Sequence, residues 1–421
     1  MSTKKGKTDF QEARAPKALG VFKDSETDWT FSAILGFMQE KACTIGESLF
    51  AARRIDTRNT ETWINEWASL ATKVQAQGEE SLRGGHKVSA RESFLRASLY
   101  YHAAERGCTP SDPRFHELWD RGRKSMQQAF PLFNPPVQVL DIVFEGKKLP
   151  AYFWHPDNTA TKRPTLFAAG GADSTLEQIF LMDGPASIRR GYNFFTFDYP
   201  GHRGAVHLYP DCVRRPDYEI PFKVAFDVLA KLPGVDERIA LIGESYGGFV
   251  VSRVAISEKR VKALIPNSPL IDIHRQYLAA WSWTLKIPEK LVDQVIKRAL
   301  RNKPLMQVYR DYLRWVAGIK GDYSRSANLE YVKQYNLTDD VHKIDCPALA
   351  LVSSTEGELM NQLAREFFEK ISSKNKKIYV FTPEADGTYD HCQVDNRVRQ
   401  SQVMFDWLDE LFDYHHETTG L

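Results

Sequence analysis

A short apolar run, residues 239–242, leads into Gly243-Glu244-Ser245-Tyr246-Gly247, and an apolar stretch that suits a helix follows. We call residues 243–247 the elbow. A strand that enters Gly-x-Ser-x-Gly and continues as a helix exposes the serine on a sharp, strained turn. Glycine is needed there because a side chain would collide with the neighbouring strand or helix. We therefore predict that Ser245 is a nucleophile, with an incidental glycine-rich turn as the alternative.

A serine nucleophile needs a base, and the position of His391 in the chain suggests that base. Serine is a poor nucleophile at neutral pH unless a neighbouring group takes its proton. His391 follows the last predicted strand, residues 378–381, by ten residues. The other interpretation is an ordinary surface or core histidine, since the chain has 11 histidines. We expect His391 to be the general base.

The acid that orients this histidine is expected after the preceding strand, residues 348–352. The turn reads Ser-Ser-Thr-Glu-Gly-Glu-Leu over residues 353–359, with Gly357 about where aspartate is common. Glu356 and Glu358 are both candidates, because the longer glutamate arm can reach the imidazole from a neighbouring position. We favour Glu356 slightly. The alternatives are that both are solvated loop carboxylates or that the acid is elsewhere, with Asp386 and Asp390 as further candidates.

Two backbone N–H groups are required to stabilise the oxyanion of a tetrahedral intermediate. Tyr246, directly after Ser245, is expected to supply one of them. The loop after the strand at residues 165–169 reads Gly-Gly-Ala-Asp-Ser-Thr, and Gly171 or Ala172 is expected to supply the other. A phosphate-binding loop is the competing interpretation, but no Gly-Lys-Ser/Thr follows.

Asp173 lies beside this predicted oxyanion hole. An ionised carboxylate would oppose negative charge there, so we expect Asp173 either to act protonated or to bind a polar group of the substrate. The alternative is that Asp173 or Ser174 caps the helix that follows, because both residue types favour that position.

The second part of the chain alternates strands with helical patterns. Several of its strands are separated by helices, such as those predicted at residues 222–232 and 362–371. This alternation predicts an α/β fold with a mostly parallel sheet and right-handed crossovers. The first two strands are expected to form an antiparallel edge. The predicted strands are residues 137–144, 151–154, 165–169, 192–197, 239–242, 263–265, 348–352 and 378–381.

Two helical regions flank or interrupt this alternation. Trp63, Trp67, Leu70 and Val74 share one helical face, and Ser89–Glu92 resembles a capping box that opens another helix. An aromatic-rich insertion follows residue 272 and is expected to form a lid, with one or two aromatics facing substrate and the others in the lid core. These aromatics are Trp281, Trp283, Tyr309, Tyr312 and Trp315. We divide the chain into a polar, loosely ordered tail (1–28), a helical cap (29–134), the core in two parts (135–271 and 346–421) and a lid (272–345).

Composition excludes several classes of protein. The formal charge is +2 and no basic stretch interleaves with aromatics, so we expect neither nucleic acid nor an anionic membrane as a partner. Five scattered cysteines without C-x-x-C spacing argue against a disulfide framework and a zinc site, and we expect no metal or cofactor. No apolar segment resembles a signal peptide or a membrane span, so a cytoplasmic location is expected.

Several segments together resemble one branch of the α/β-hydrolases. This branch includes dihydroxypseudooxynicotine hydrolase, the fungal pigment hydrolases that shorten a polyketide chain, and the FrsA-like esterases. The resemblance covers roughly residues 30–412 and implies an α/β-hydrolase fold whose active site is enclosed by the cap and the lid. The segments are residues 63–67, 93–101, 170–177, 197–202, 243–248 and 391–396.

The same resemblance implies a chemistry. Well-known members cleave a carbon–carbon bond beside a ketone with a serine, a histidine and an acid, and an additional acidic residue is important at the position that matches Asp173. This sequence departs from the branch at the triad acid, where Gly357 replaces the expected aspartate. The resemblance also implies secondary metabolism and a possible homodimer.

Together these features predict a serine hydrolase of a mid-sized, aromatic or polyketide-like carbonyl compound. In carbon–carbon cleavage the leaving carbon must be protonated as it departs, and His391 or Asp173 could supply that proton. An ester or thioester hydrolase uses the same groups and is the nearest alternative. An acyl transferase or cyclase, and a non-catalytic binding protein with this fold, are the others.

Overall fold

The computed structural model describes residues 19–321 and 324–415. The predicted tail therefore lies mostly outside the described residues, as does the segment from residue 416 onward. The described residues contain one eight-stranded sheet with the spatial order β1-β2-β4-β3-β5-β6-β7-β8. Its strands are β1 (Gln138–Phe144), β2 (Lys147–Trp154), β3 (Arg163–Ala169), β4 (Asn193–Phe197), β5 (Val235–Glu244), β6 (Val261–Asn267), β7 (Ala348–Ser353) and β8 (Lys376–Phe381).

The sheet confirms the predicted α/β-hydrolase fold. Each of the eight predicted apolar runs overlaps a strand, and the first two strands pair antiparallel at one edge. The pairs from β4 through β3, β5, β6 and β7 to β8 are parallel. Every residue of β4 and β7 is buried, because helices cover both faces of the sheet and the strands are apolar throughout.

Helices of the core cover the faces of the sheet. The predicted helices at residues 222–232 and 362–371 correspond to the third and fifth of them, and both begin three to four residues earlier than predicted. The core helices are α6 (Leu176–Arg189), α7 (Arg203–Leu208), α8 (Glu219–Leu229), α9 (Tyr246–Ala255), α14 (Glu358–Lys370), α15 (Pro383–Asp386) and α16 (Arg397–Phe412).

The N-terminal helices form the cap. The predicted apolar face of the helix Thr60–Arg83 is confirmed, since Trp63, Trp67, Leu70 and Val74 are all buried. The predicted capping box at Ser89 is wrong, because its helix begins two residues earlier after a turn at Gly84–Gly85, with His86 as its N-cap. The cap helices are α1 (Ser25–Leu35), α2 (Ile45–Ala52), α3 (Thr60–Arg83), α4 (Lys87–Glu105) and α5 (Pro113–Ala129).

The chain just before α1 is more ordered than its polar sequence predicted. The backbone N–H groups of residues 19–22 donate hydrogen bonds to the Asp28 carboxylate at 2.8–3.0 Å. The carboxylate folds this segment back onto the first turns of α1, and helix α1 begins four residues before the predicted start of the cap.

The region between β6 and β7 is helical, as the loss of alternation predicted. It contains α10 (Ile273–Trp281), α11 (Glu289–Ala299), α12 (Pro304–Val316) and α13 (Arg325–Lys333). No helix among the described residues is long and apolar enough to cross a membrane.

Candidate active site

Ser245 lies at the junction of β5 and α9. Its backbone φ of 56° and ψ of −118° fall in a region that a residue with a side chain rarely adopts. Strain of this kind persists only where the surrounding structure holds it, and it is common at functional sites. The geometry matches the strained turn that the elbow motif predicts.

The two elbow glycines and the neighbouring Gly248 are required by close backbone contacts. A Cβ atom at Gly243 would lie 2.1 Å from the carbonyl oxygen of Gly247. A Cβ atom at Gly247 would lie 2.6 Å from the carbonyl oxygen of Ala169, and one at Gly248 would lie 2.0 Å from that of Ser268. Because backbone atoms cannot move aside as a flexible side chain can, no larger residue fits at these positions.

His391 contacts Ser245 directly. The distance between His391 Nε2 and Ser245 Oγ is 2.8 Å, which is a hydrogen bond. The carbonyl oxygen of Asn267 accepts hydrogen bonds from the Ser245 N–H and from the Sγ of Cys392, the residue after His391. The strand end of β6 thereby ties the elbow to the histidine loop.

Glu356 contacts the other nitrogen of the imidazole. Its Oε2 lies 2.5 Å from His391 Nδ1 and accepts a hydrogen bond from Ser268 Oγ at 2.6 Å. Its Oε1 accepts the backbone N–H of Ser353 at 2.8 Å. Glu356 is buried, so these partners compensate a carboxylate that has lost its water.

The other candidate acids have different partners, although Glu358 also lines the cavity above Ser245. Glu358 begins α14, is exposed and accepts a hydrogen bond from Gln362 at 2.9 Å. Asp386 accepts a hydrogen bond from Arg399 at 2.9 Å, and Asp390 accepts one from Ser32 at 2.9 Å. Of the four carboxylates considered from the sequence, the structure brings Glu356 to the histidine.

The missing aspartate has a conformational explanation. Gly357 has φ 87° and ψ 165°, a conformation that favours glycine, and it starts α14 directly after a short 3₁₀ turn. The carboxylate is therefore supplied by the residue before the glycine, whose longer side chain spans the extra distance.

The loop after β3 lies against the nucleophile. A Cβ atom at Gly171 would lie 3.1 Å from Ser245 Cβ, so a glycine permits this approach. The N–H of Gly171 donates to Ser174 Oγ at 2.9 Å, which leaves the N–H of Ala172 as the better candidate donor of the pair. Tyr246 is the first residue of α9, and the first N–H of a helix has no acceptor within the helix.

Two side chains hold the carbonyl oxygen of Ala172. Arg214 donates to it from Nη2 at 3.0 Å, and the hydroxyl of Tyr312 in the lid donates at 3.1 Å. The Arg214 guanidinium also lies 4.5 Å from the ring centroid of Tyr246. Both predicted oxyanion segments therefore share one arginine, and a lid residue fixes one of them.

Asp173 forms an ion pair with the cap. Arg106, the C-cap of α4, donates from Nη2 to its Oδ2 at 2.7 Å. The helix-capping interpretation of Asp173 and Ser174 is wrong, because Thr175 caps α6 in a reciprocal capping box with Gln178. An ion-paired carboxylate suits recognition of a polar substrate group better than donation of a proton.

A second buried pair joins cap and core nearby. Arg203 of α7 binds the Glu105 carboxylate of α4 and donates from Nη2 to the carbonyl oxygen of Asp173 at 2.9 Å. Burial raises the pKa of Glu105, but Arg203 and His207 outweigh it and hold that pKa at about 2. Glu105 is therefore charged throughout the neutral pH range.

Cap, lid and core enclose a cavity of about 230 Å³ above Ser245 and His391. Trp29 of α1 and Phe37, which follows α1, contribute apolar wall, whereas Arg106 and Asp173 form a charged part. One or two of the five lid aromatics were expected to face substrate, and Tyr309 is the one of them that lines this cavity. Trp283 is instead 41% exposed, so the expectation of a lid core position is wrong for that residue.

Sequence reasoning missed several residues of this site. Asn267 ends the buried strand β6 and Ser268 follows it, and polar residues at the carboxyl end of a parallel strand are a usable signal. Arg106 and Arg214 carry no comparable local signal, because their partners lie far away in the chain.

Burial also affects the acid beside the nucleophile. Glu244 is buried, which raises its pKa to about 7 even though Arg397 acts to lower it. Its oxygens accept hydrogen bonds from Gln400 at 2.6 Å and Asn267 at 3.0 Å. Within the described residues, no group of three or more side chains is placed to hold a metal ion.

Comparison with known proteins agrees with this architecture. The model of a family described as Esterase FrsA-like matches residues 50–377, which is well over half of the chain.

Two relatives and one solved structure illustrate the similarity. The chain is 30% identical over 359 residues to Hydrolase ORFZ of Pyricularia oryzae, covering 78% of this chain and 82% of that protein. It is 26% identical over 414 residues to 20-hydroxy-prefusarin hydrolase FUS2 of Gibberella moniliformis, covering 93% and 98%. The crystal structure of the 2,6-dihydroxy-pseudo-oxynicotine hydrolase superposes with a TM-score of 0.70 at 23% identity, covering 91% and 98%.

Proposed function

The chain belongs to the FrsA-like esterase family of α/β-hydrolases, and from that membership we propose that it is a serine hydrolase working through an acyl-enzyme. Ser245 is the nucleophile, His391 the general base and Glu356 the acid that orients it. The observation that carries the proposal is the continuous chain from Ser245 Oγ to His391 Nε2 at 2.8 Å and from His391 Nδ1 to Glu356 Oε2 at 2.5 Å.

The reaction proceeds in two halves. His391 Nε2 takes the Oγ proton while Ser245 forms a bond to the substrate carbonyl carbon. The N–H groups of Tyr246 and Ala172 stabilise the oxyanion that develops. The intermediate then collapses, and the leaving group departs with the proton from His391. Water, activated by the same histidine, releases the acyl group as an acid.

For the substrate we propose a mid-sized, aromatic or polyketide-like carbonyl compound that is cleaved at a carbon–carbon bond next to the carbonyl. The aromatic side chains of Trp29, Phe37 and Tyr309 in the cavity wall support an extended, unsaturated ligand. The relative FUS2 is named for 20-hydroxy-prefusarin, and the sequence motifs resemble hydrolases that shorten polyketides. In this bond cleavage the departing carbon takes its proton from His391.

An ester or thioester is the second candidate substrate, and the esterase description of the family favours it. The two candidates share the acylation step and differ in the leaving group. Hydrolysis of an ester releases an alcohol. In carbon–carbon cleavage the leaving group is a carbanion equivalent, and its carbon must gain a proton as it departs.

Labelling with a fluorophosphonate tests the nucleophile. We expect the wild-type protein to gain one phosphonyl group on the peptide that contains Ser245, and Ser245→Ala to remain unlabelled and inactive. An unreactive Ser245, together with full activity of the alanine variant, would rule out the acyl-enzyme.

Product analysis tests the reaction. Esters, thioesters and β-diketones are incubated separately in ¹⁸O-labelled water, and product masses are determined. Hydrolysis places one ¹⁸O in the released acid, whereas transfer or cyclisation gives a product without that label.

A further inference from the structure

A second serine, histidine and aspartate are connected outside the proposed catalytic chain. His202 Nδ1 lies 2.5 Å from Asp198 Oδ1, and His202 Nε2 lies 3.1 Å from Ser174 Oγ. Asp198 follows β4, His202 precedes α7, and both are buried. Neither takes part in the contacts among Ser245, His391 and Glu356.

The backbone is shaped around this pair. A Cβ atom at Gly170 would lie 2.2 Å from His202 Nε2, and one at Gly204 would lie 2.1 Å from Asp198 Oδ2. Tyr199 OH donates to the carbonyl oxygen of Gly170 at 2.6 Å. The position of the imidazole relative to the loop after β3 is therefore closely constrained.

The donor at each link follows from chemistry. A carboxylate accepts, so His202 Nδ1 carries the proton that faces Asp198 and its Nε2 is an acceptor. The Ser174 hydroxyl then donates to Nε2. This leaves the Ser174 oxygen as the acceptor for the Gly171 N–H at 2.9 Å. The chain of hydrogen bonds runs in one direction, from the Gly171 amide to Asp198.

We propose that Asp198 and His202 are positioning residues that act through Ser174 to hold the Gly171 amide, and thereby aim the N–H of Ala172 at the oxyanion. The inference rests on the proposed function, because it gives the oxyanion hole of that reaction a support. An N–H donor stabilises an oxyanion only when it is held at hydrogen-bonding distance. Residues that hold the Ala172 N–H in place therefore increase the rate of the reaction.

Ser174 is not arranged as a second nucleophile, although its partners resemble those of Ser245. Its oxygen accepts the Gly171 N–H with one of its two lone pairs, which makes it a weaker nucleophile than a hydroxyl that accepts no hydrogen bond. Its backbone also lies in the loop rather than at a strained turn between a strand and a helix.

Ser174→Ala is the first test, with fluorophosphonate as the probe. In phosphonylation the Ser245 Oγ–P bond forms, the P–F bond breaks and the proton leaves through His391 as hydrogen fluoride, while a phosphoryl oxygen occupies the oxyanion hole. We expect Ser174→Ala to slow phosphonylation of Ser245 and kcat by about 10- to 100-fold, with KM changed less than about threefold.

Two further variants serve as rescue and control. Ser174→Thr keeps the hydroxyl and is expected to recover part of the rate. Ser187→Ala removes another buried hydroxyl, which donates to the carbonyl oxygen of Asp183 at 2.7 Å, away from the loop after β3. It is expected to react at the wild-type rate.

A pair of histidine variants tests the direction of the chain. Glutamine at position 202 can place an amide oxygen near the Nε2 position, whereas asparagine reaches only the Nδ1 position. We expect His202→Gln to retain more phosphonylation rate than His202→Asn. If Ser174→Ala does not fold, the comparison of His202→Gln with His202→Asn tests the proposal instead. Both histidine variants are then assayed below their melting temperatures.

The outcomes separate this inference from the proposed function. Wild-type labelling at Ser245 with an unchanged rate in folded Ser174→Ala would overturn the positioning role alone. A label on Ser174 in the Ser245→Ala variant would make Ser174 a nucleophile and would also overturn it. A wild-type protein that is never labelled at Ser245 would overturn both proposals.

Discussion

Ser268 donates a hydrogen bond to the same oxygen of Glu356 that contacts His391. The Ser268 Oγ to Glu356 Oε2 distance is 2.6 Å, and the Glu356 Oε2 to His391 Nδ1 distance is 2.5 Å. The carboxylate is thus fixed from the end of β6 as well as from its own turn, so its orientation does not depend on the exposed residues that follow.

Replacing this carboxylate separates the two candidate glutamates. We expect Glu356→Gln to lower kcat by about 10²- to 10⁴-fold, because an amide can present the wrong group to His391 and cannot stabilise an imidazolium ion. Glu358→Gln is the matched control and should stay within about twofold of wild type, because Glu358 bonds Gln362. Steady-state kinetics on an ester substrate measures both, and the reverse order would contradict our assignment.

The lid hydroxyl of Tyr312 is expected to affect rate more than binding. Tyr312→Phe removes one of two donors to the Ala172 carbonyl oxygen, with Arg214 remaining. We expect kcat to fall about 2- to 10-fold, because one hydrogen bond contributes about 1 kcal/mol. Tyr309→Phe, in the cavity wall, should mainly change KM. Equal effects on KM from both variants would show that Tyr312 only shapes the pocket.

Asp173→Asn distinguishes recognition from proton transfer. The substitution removes the charge that pairs with Arg106 but keeps an oxygen that can accept its hydrogen bond. If Asp173 binds a polar substrate group, KM should rise for substrates carrying that group while kcat changes little. A large loss of kcat confined to carbon–carbon substrates, with ester turnover intact, would instead identify Asp173 as a proton donor.

Asp390 is expected to make stability depend on pH. Burial, and then the nearby Asp395, raise the pKa of Asp390 from 3.8 to about 7. Its contribution to stability is therefore present below the unfolded pKa and lost as the pH rises through about 7. We expect Asp390→Asn to be more stable than wild type by on the order of 1–3 kcal/mol at high pH, with no advantage near the unfolded pKa.

Urea unfolding at both ends of this pH range measures the effect. Asp386→Asn is a useful comparison, because hydrogen bonds from Thr382 and Arg399 lower the pKa of Asp386 against its burial. That variant should lose stability at high pH, where the paired carboxylate would otherwise be charged. A pH-independent difference between Asp390→Asn and wild type would contradict the assignment.

The strands and the elbow could be predicted because their signals are local. Buried parallel strands require continuous apolar runs, and the elbow requires glycines wherever backbone atoms approach within about 3 Å. His391 could be placed from chain order, because the loop after the last strand reaches the same sheet edge as the elbow. The N-cap of α6 could not be predicted, because three neighbouring residues, Asp173, Ser174 and Thr175, all favour that position. In the structure Thr175 is the N-cap.

Other parts of the site could not be predicted from the sequence. The choice between Glu356 and Glu358 depends on the positive φ of Gly357, which turns one side chain inward and leaves the other exposed. The pairing of Arg106 with Asp173 joins residues 67 positions apart, and no local pattern encodes it. Long-range ion pairs of this kind follow from the packing of the cap on the core.

The ion pair between Glu105 of the cap and Arg203 of the core limits how this architecture can be recombined. A chimaera that takes its cap from one relative and its core from another must inherit both residues. If it inherits only one of them, a buried charge has no partner, which lowers the free energy of unfolding by about 3–5 kcal/mol. That is a large part of the stability of a typical domain. Exchange of the cap alone is therefore expected to destabilise the fold unless the incoming cap also carries the carboxylate that pairs with Arg203.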